Sequence, residues 1–290
     1  MEFDLTIFIP TYNRPEMLET CILSVKRSLK GRDISYEIFV VNESPREMVL
    51  NHDNVNVLNY GKEIMPCEAM YRALRVSSGR YFMRIDDDNE IHTNLIINLY
   101  SYIINHKDVA FCGALSRRED CSISNPGTKL SKFLKRSLRS NIIGNKDYED
   151  DLVDNVYIMN TSLIDLDKFH LSCKFFPWSF EDGYDQIRLK RLNYRVVVIP
   201  YAETIHHTHA GSLNVKQVYH YARSKYLMYR CVFKFSYIKT ITLSVSGLLF
   251  IPLIYRKDRA NIKLLIRAFG LYLKGTKDAI EFFKKNKWLD

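Results

Sequence analysis

Nothing in the sequence pairs its cysteines. The six, Cys21, Cys67, Cys112, Cys121, Cys173 and Cys231, are widely scattered, with no Cys-x-x-Cys and no short disulfide framework. That argues against structural zinc and for a reducing compartment. Met1-Glu2-Phe3-Asp4 runs straight into an apolar strand pattern without a basic leader or cleavage site, so a secretory signal is not expected and a cytoplasmic location is. Thr240 to Tyr255 has no charged residue, but its 16 residues fall short of the roughly 20 needed to cross a bilayer. Glycine is missing from Pro10-Thr11-Tyr12-Asn13, which argues against the phosphate loop of a sugar-phosphate nucleotidyltransferase. No repeat, low-complexity tract or RNA- or DNA-binding signature occurs, so nucleic acid is not an expected partner.

What is present is a globular balance, 47% hydrophobic and 26% charged, over 290 residues. That suits one large α/β domain, or two packed halves, with chain left for an appendage. The net charge of +9 is unevenly placed: residues 216–290 hold 16 Lys and Arg against 4 Asp and Glu, leaving residues 1–215 slightly acidic. From Val215 the texture changes to long basic and aromatic helices, Val215 to Phe235 and Asn261 to Lys285, which fit an anionic membrane surface. A helical cap with a solvated basic face is the alternative, but a cap alone does not require so much positive charge.

Leu5 to Ile9 is a strand stopped by Pro10, and Arg14-Pro15-Glu16 opens a helix to about Leu29, with Pro15 suited to its first turn. Tyr36 to Val41 and Val55 to Leu58 are further strands, and Cys67 to Ser77 is a helix. Arg80 to Ile85 alternates as a strand into Asp86-Asp87-Asp88-Asn89. A helix over Asn94 to Asn105 and strands at Val109 to Cys112 and Val156 to Met159 follow. Glu181 to Leu192 reads as a helix, Arg195 to Ile199 as a strand ended by Pro200, and Thr204 to His207 as the start of another. Residues 116–150 read as an insertion, with Leu130, Phe133, Leu134 and Leu138 on one helical face of Lys129 to Arg139. The alternation predicts a mostly parallel sheet with its ligand crevice at the strands' carboxyl ends.

Three consecutive carboxylates at such an end repel one another, and a divalent cation is their natural compensation. Capping of the next helix by Asp88 and Asn89 is the other reading. Glu181-Asp182 at a helix start can supply a general base or merely complement the macrodipole. His206, His207 and His209 can complete a metal site or serve as ordinary hydrogen-bonding residues.

In this order the pieces resemble glycosyltransferase family 2 over about residues 4–212. Ile7 to Arg14 looks like its opening strand and nucleotide loop, and Ser78 to Asp88 like its Gly-x-Tyr strand and DxD element. Phe180-Glu181-Asp182, followed by Ile187-Arg188-Leu189 and Tyr194-Arg195-Val196, is similar to its acceptor-side acidic helix and next strand. Ala202 to His206 has the spacing of its late metal-site histidine.

The resemblance implies an α/β GT-A fold, Rossmann-like, with a mostly parallel central sheet and flanking helices, plus the helical appendage. Residues 1–212 would be catalytic, with a nucleotide-sugar half over 1–105 and an acceptor half over 106–212, and 213–290 the appendage. It implies an inverting transferase of hexosyl type, with a rhamnosyltransferase-like branch among those it allows. The donor is a nucleotide-sugar and the acceptor a glycan or glycolipid. Pro10, Thr11, Tyr12, Arg14, Asn42, Glu43, Asp86 and Asp87 would bind the donor, Asp86 at its ribose. Asp88 and His206, with His207 as rival, would hold Mg²⁺ or Mn²⁺. Asp182 would be the base, aided by Glu181. Two positions depart from the pattern: Asn42-Glu43 stands where an Asp commonly reads the base, and Tyr184, followed by Asp185, where a third acid is usual. A basic nucleic-acid- or membrane-binding protein on an inactive transferase fold is the alternative.

Overall fold

The structure, a computed structural model, describes residues 2–130, 136–137, 146–178, 183–207, 215–250 and 262–286. The chain divides into two compact units. The first is Met1–Ser131, Lys135–His170 and Asp185–Thr208, and the second Lys132–Leu134, Leu171–Tyr184 and His209–Asp290.

The first unit begins β1 (Phe3–Thr11), α1 (Pro15–Leu29), β2 (Tyr36–Asn42), β3 (Val55–Asn59), α2 (Pro66–Val76), β4 (Gly79–Ile85), β5 (Asn89–Ile91), α3 (Leu95–Asn105) and β6 (Val109–Arg117). Short strands β7 (Ile123–Asn125), β8 (Lys129–Leu130), β9 (Arg136–Ser137) and β10 (Tyr148–Glu149) lead to β11 (Val156–Asn160), α4 (Leu166–Phe175), which belongs to the second unit from Leu171 on, α5 (Gly183–Arg191), which belongs to the first from Asp185 on, and β12 (Arg195–His206). The main sheet runs β10-β12-β6-β11-β4-β1-β2-β3, with β5 on β12 and β7 on β6. β3, β2, β1 and β4 are parallel neighbours, as are β6 and β12, whereas β11 runs antiparallel between β4 and β6.

Leu5, Ile7 and Ile9 of β1 pack with Leu18, Ile22 and Val25 of α1 and Leu95, Ile96 and Leu99 of α3 in one apolar cluster, the burial that pins the sheet's register. Gly79 lets β4 start against β1: an added Cβ would stand 2.3 Å from the Thr6 nitrogen. α1 begins on Pro15 with Glu16 in its first turn and Lys26 and Arg27 in its last, each complementing the helix dipole.

Four expectations change. Pro200 does not end a strand: β12 passes through it, with its register against β6 broken between Ile199 and Glu203, the kind of irregularity at which a sheet tolerates proline. Asp88 and Asn89 cap no helix, because Asn89 opens β5 and pairs with His206, and α3 starts only at Leu95. Leu130 lies in β8, paired with β9, so no helix covers that part of Lys129 to Arg139; Phe133, Leu134 and Leu138 lie outside the described residues. α4 is an element with no counterpart in the sequence reading.

The second unit holds α6 (Val215–Leu227), a π turn at Met228–Val232, α7 (Tyr237–Ser246) and α8 (Ile262–Lys285). Val218 and Ala222 of α6 pack on Ala268 and Tyr272 of α8. The helices approach closely at Gly275, where a Cβ would meet the Tyr219 carbonyl at 2.3 Å. Arg223 is buried and donates to the carbonyls of Lys174 (2.7 Å) and Phe175 (2.5 Å) at the end of α4, satisfying acceptors that a helix end leaves open. The guanidinium also sits 4.8 Å over the Phe282 ring. Among the described residues no helix is long and apolar enough to cross a membrane.

Candidate functional site

β4 delivers Asp86, Asp87 and Asp88 at its carboxyl end, next to the end of β1 and, through β5, the end of β12. A tight turn follows, in which the Asn89 N–H donates to the Asp86 carbonyl at 3.0 Å, and it sends the three carboxylates to different partners. Asp86 accepts from Arg84 Nε at 2.8 Å. Asp87 accepts from the Thr11 hydroxyl at 2.7 Å and from Arg14 Nη1 at 3.2 Å. Asp88 accepts from the same Arg14 nitrogen at 3.0 Å on one oxygen, while its other oxygen faces His206 Nε2 at 3.5 Å.

Burial pushes the Asp86 carboxyl up to about 7 against the nearby Arg84 guanidinium, with Asp154 and Asp88 adding to the rise. Burial also raises Asp87, only partly offset by Thr11 and Arg14. At Asp88 burial acts in the same direction, but the His206 imidazole and then Arg14 outweigh it and hold the carboxyl below its ordinary range. His206 is raised in turn, mainly by its contact with Asp88. Its Nδ1 meets the Ser124 hydroxyl at 3.2 Å, which leaves Nε2 aimed at Asp88. His207 turns elsewhere: Nδ1 lies 2.7 Å from Glu119 and Nε2 3.7 Å from Glu90.

Pro10 and Thr11 end β1, Tyr12 is half exposed, and Asn13 adopts φ 56° with its N–H donating to the Ser44 hydroxyl at 2.8 Å. Asn42 is fully buried and its amide builds the neighbouring turn: Oδ1 accepts from the Ser44 N–H at 3.0 Å, and Nδ2 donates to the Arg46 carbonyl and to Asn59. Glu43 accepts from the Ile64 N–H at 2.7 Å, and burial raises its carboxyl. A cavity of about 690 Å³ flanks this loop, lined among others by Asn13, Leu18, Ser44, Arg46 and Met48.

Thr11, Arg14, Asp86, Asp87, Asp88 and His206 therefore come together, while Asn42 and Glu43 form the wall of the next loop. Glu181 and Asp182 lie outside the described residues. Asp185 is buried at the start of α5 and accepts from Arg188 Nε at 3.1 Å. Tyr184 stacks on Phe176 with ring centroids 5.9 Å apart. Sequence reasoning missed Arg84 and Ser124. The signal for Arg84 was an arginine one residue before the end of a strand otherwise fit for burial; Ser124 had none.

Among the described residues no group of three or more His, Cys, Asp or Glu side chains is arranged to hold a metal ion. Asp88 and His206 nonetheless fit the protein's share of a Mg²⁺ or Mn²⁺ site, since such ions take one or two protein ligands and fill the remaining positions with phosphate and water oxygens.

A parallel-rich sheet presenting an acidic turn at the end of β4 and a late histidine beside it has the architecture of a GT-A glycosyltransferase. The family model described as "Glycosyl transferase family 2" matches residues 6–159, more than half the chain. The chain belongs to that family. No curated protein matches it. Among 539 matching solved chains is the crystal structure of GalNAc-T7 with UDP, GalNAc and Mn²⁺, with a TM-score of 0.56 and 13% identity, over 78% of this chain and 52% of that one. The chain thus spans about half the length of that protein, and at this identity the likeness shows the fold.

Proposed function

We propose that this chain moves a hexosyl group from a nucleoside-diphosphate donor to an acceptor hydroxyl with inversion at the anomeric carbon. The observation that carries this reading is the approach of Asp88 to His206 at the carboxyl end of β4, in a chain of family 2. Pro10, Thr11 and Tyr12 line the nucleotide side, Asn42 and Glu43 shape the wall toward the base, and Asp86 holds the ribose. Asp87 ties the nucleotide loop to the acidic turn. Asp88 and His206 would hold a Mg²⁺ or Mn²⁺, which would supply stabilisation of the negative charge developing on the leaving diphosphate. Asp182, shaped by Glu181, takes the acceptor hydroxyl's proton as that oxygen attacks the anomeric carbon. The bond from that carbon to the diphosphate breaks in the same displacement.

A glycan or lipid-linked glycan at the cytoplasmic face of a membrane is the acceptor this reading favours. Its support is the outward side of α8, where Lys263, Arg267, Lys274, Lys277, Lys284 and Lys285 are exposed together with Ile266 and Leu273. A basic helical face with apolar side chains suits an anionic lipid surface. Asp182→Asn is expected to abolish sugar transfer from a nucleotide-sugar in Mn²⁺ while leaving nucleoside diphosphate binding intact. Transfer at the wild-type rate would remove the base assignment.

A further inference from the structure

We propose that Arg14 couples the cation to the nucleotide: it occupies Asp88 as a built-in counter-ion when no diphosphate is bound and yields that carboxylate when one arrives. This rests on the assignment of Asp88 as a cation ligand. One guanidinium nitrogen bridges Asp87 at 3.2 Å and Asp88 at 3.0 Å, so Asp88 already has a positive partner on the side opposite His206. A divalent cation at that carboxylate would lie within a few ångströms of the guanidinium, and the repulsion between them opposes binding of the ion alone.

The three groups around Asp88 differ in freedom. His206 ends a strand with its second nitrogen against Ser124. Asn89, whose Nδ2 donates at 3.2 Å to the Asp88 oxygen facing His206, is buried and opens β5. Arg14 immediately precedes α1, outside helical geometry at φ −135°, and 42% of its side chain is exposed. It is the partner that can turn away. A diphosphate supplies the negative charge that resolves the conflict, since its oxygens can accept from the released guanidinium and ligate the ion together. Cation and diphosphate then favour one another's binding, and by linkage the coupling is equal in both directions. Arg14 in this role is a positioning residue. Asp87, bound to both Thr11 and Arg14, keeps the side chain within reach.

The test is Mn²⁺ affinity, read from the electron paramagnetic resonance signal of free Mn²⁺ with the full chain, with and without uridine, guanosine or thymidine diphosphate. Arg14→Met is expected to bind Mn²⁺ at least about tenfold more tightly than wild type without nucleotide, about 1.4 kcal/mol, and to lose most of the tightening that the effective nucleotide gives wild type. Arg14→Lys, which keeps the charge, is expected to stay near wild type. Unchanged or weaker Mn²⁺ binding by Arg14→Met, with Asp88→Asn abolishing it, would overturn the coupling and leave the cation assignment standing. Mn²⁺ binding unaffected by Asp88→Asn would overturn both.

Discussion

Both units bury charged side chains, and the acidic turn of the first and the basic helix of the second are neutralised by different means. In the first, Asp87 and Asp88 are held by side chains, Thr11, Arg14 and His206. In the second, Arg223, 8% exposed, is held by the main-chain carbonyls of Lys174 and Phe175 and by the face of Phe282. Lys225, 7% exposed, lies 5.9 Å from the ring centroids of Tyr221 and Tyr229. A carbonyl at a helix end cannot leave its partner without unravelling the turn, whereas an exposed arginine can. Buried charge with exchangeable partners is therefore suited to a ligand, and buried charge tied to the backbone to stability.

The sharpest way to break this contrast is to remove a charge from each unit. Asp88→Ala is expected to lower nucleotide-sugar turnover in Mn²⁺ by roughly a thousandfold with little change in the unfolding midpoint of the ligand-free protein. Arg223→Ala is expected to do the reverse. It strands two helix-end carbonyls and removes the packing on Phe282, a loss of about 2–3 kcal/mol in denaturant unfolding, with Mn²⁺ affinity at 25 °C unchanged.

Two neutralising changes sharpen the contrast through pH. The Asp86 carboxyl titrates near 7 when folded and near 4 when unfolded, so between those values the unfolded state holds fewer protons and stability falls as pH rises. Asp86→Asn, measured by thermal unfolding in EDTA, should therefore gain on wild type through that window and keep the gain above it, by about 1–2 kcal/mol. For Lys225 burial depresses the ammonium below its usual range. The unfolded state then binds more protons just below pH 10.5, and wild-type stability rises with pH toward that value. Lys225→Met should be more stable than wild type at pH 7, by about 1 kcal/mol, and the advantage should shrink by pH 9.5.

The strands and helices of the first half were legible because each carries its own signal: the apolar run of β1, Pro15 at the start of α1, the alternation of β4. The acidic triplet was legible for the same reason, as a charge conflict at a strand end. What sequence could not carry was which of His206 and His207 stands beside Asp88. That choice depends on the pairing of His206 with Asn89, and β5, at three residues, is too short to be seen in a pattern. Nor does a local signal distinguish an antiparallel β11 from a parallel one, since the apolar run of Val156 to Met159 suits either. α4 escaped because Asp165-Leu166-Asp167-Lys168-Phe169-His170 mixes polar and apolar residues with little periodicity. The long strand through Pro200 escaped because its partner, β6, accommodates the proline by a break in register.

The most direct test of the central claim, that the acidic turn and His206 form a cation-assisted nucleotide site, is thermal unfolding of the full chain with each common nucleoside diphosphate, in Mn²⁺ and in EDTA. At least one diphosphate should raise the midpoint by several degrees in Mn²⁺, far less in EDTA, and not at all in Asp88→Ala. Stabilisation by none of them, or equal stabilisation with and without the ion, would contradict it.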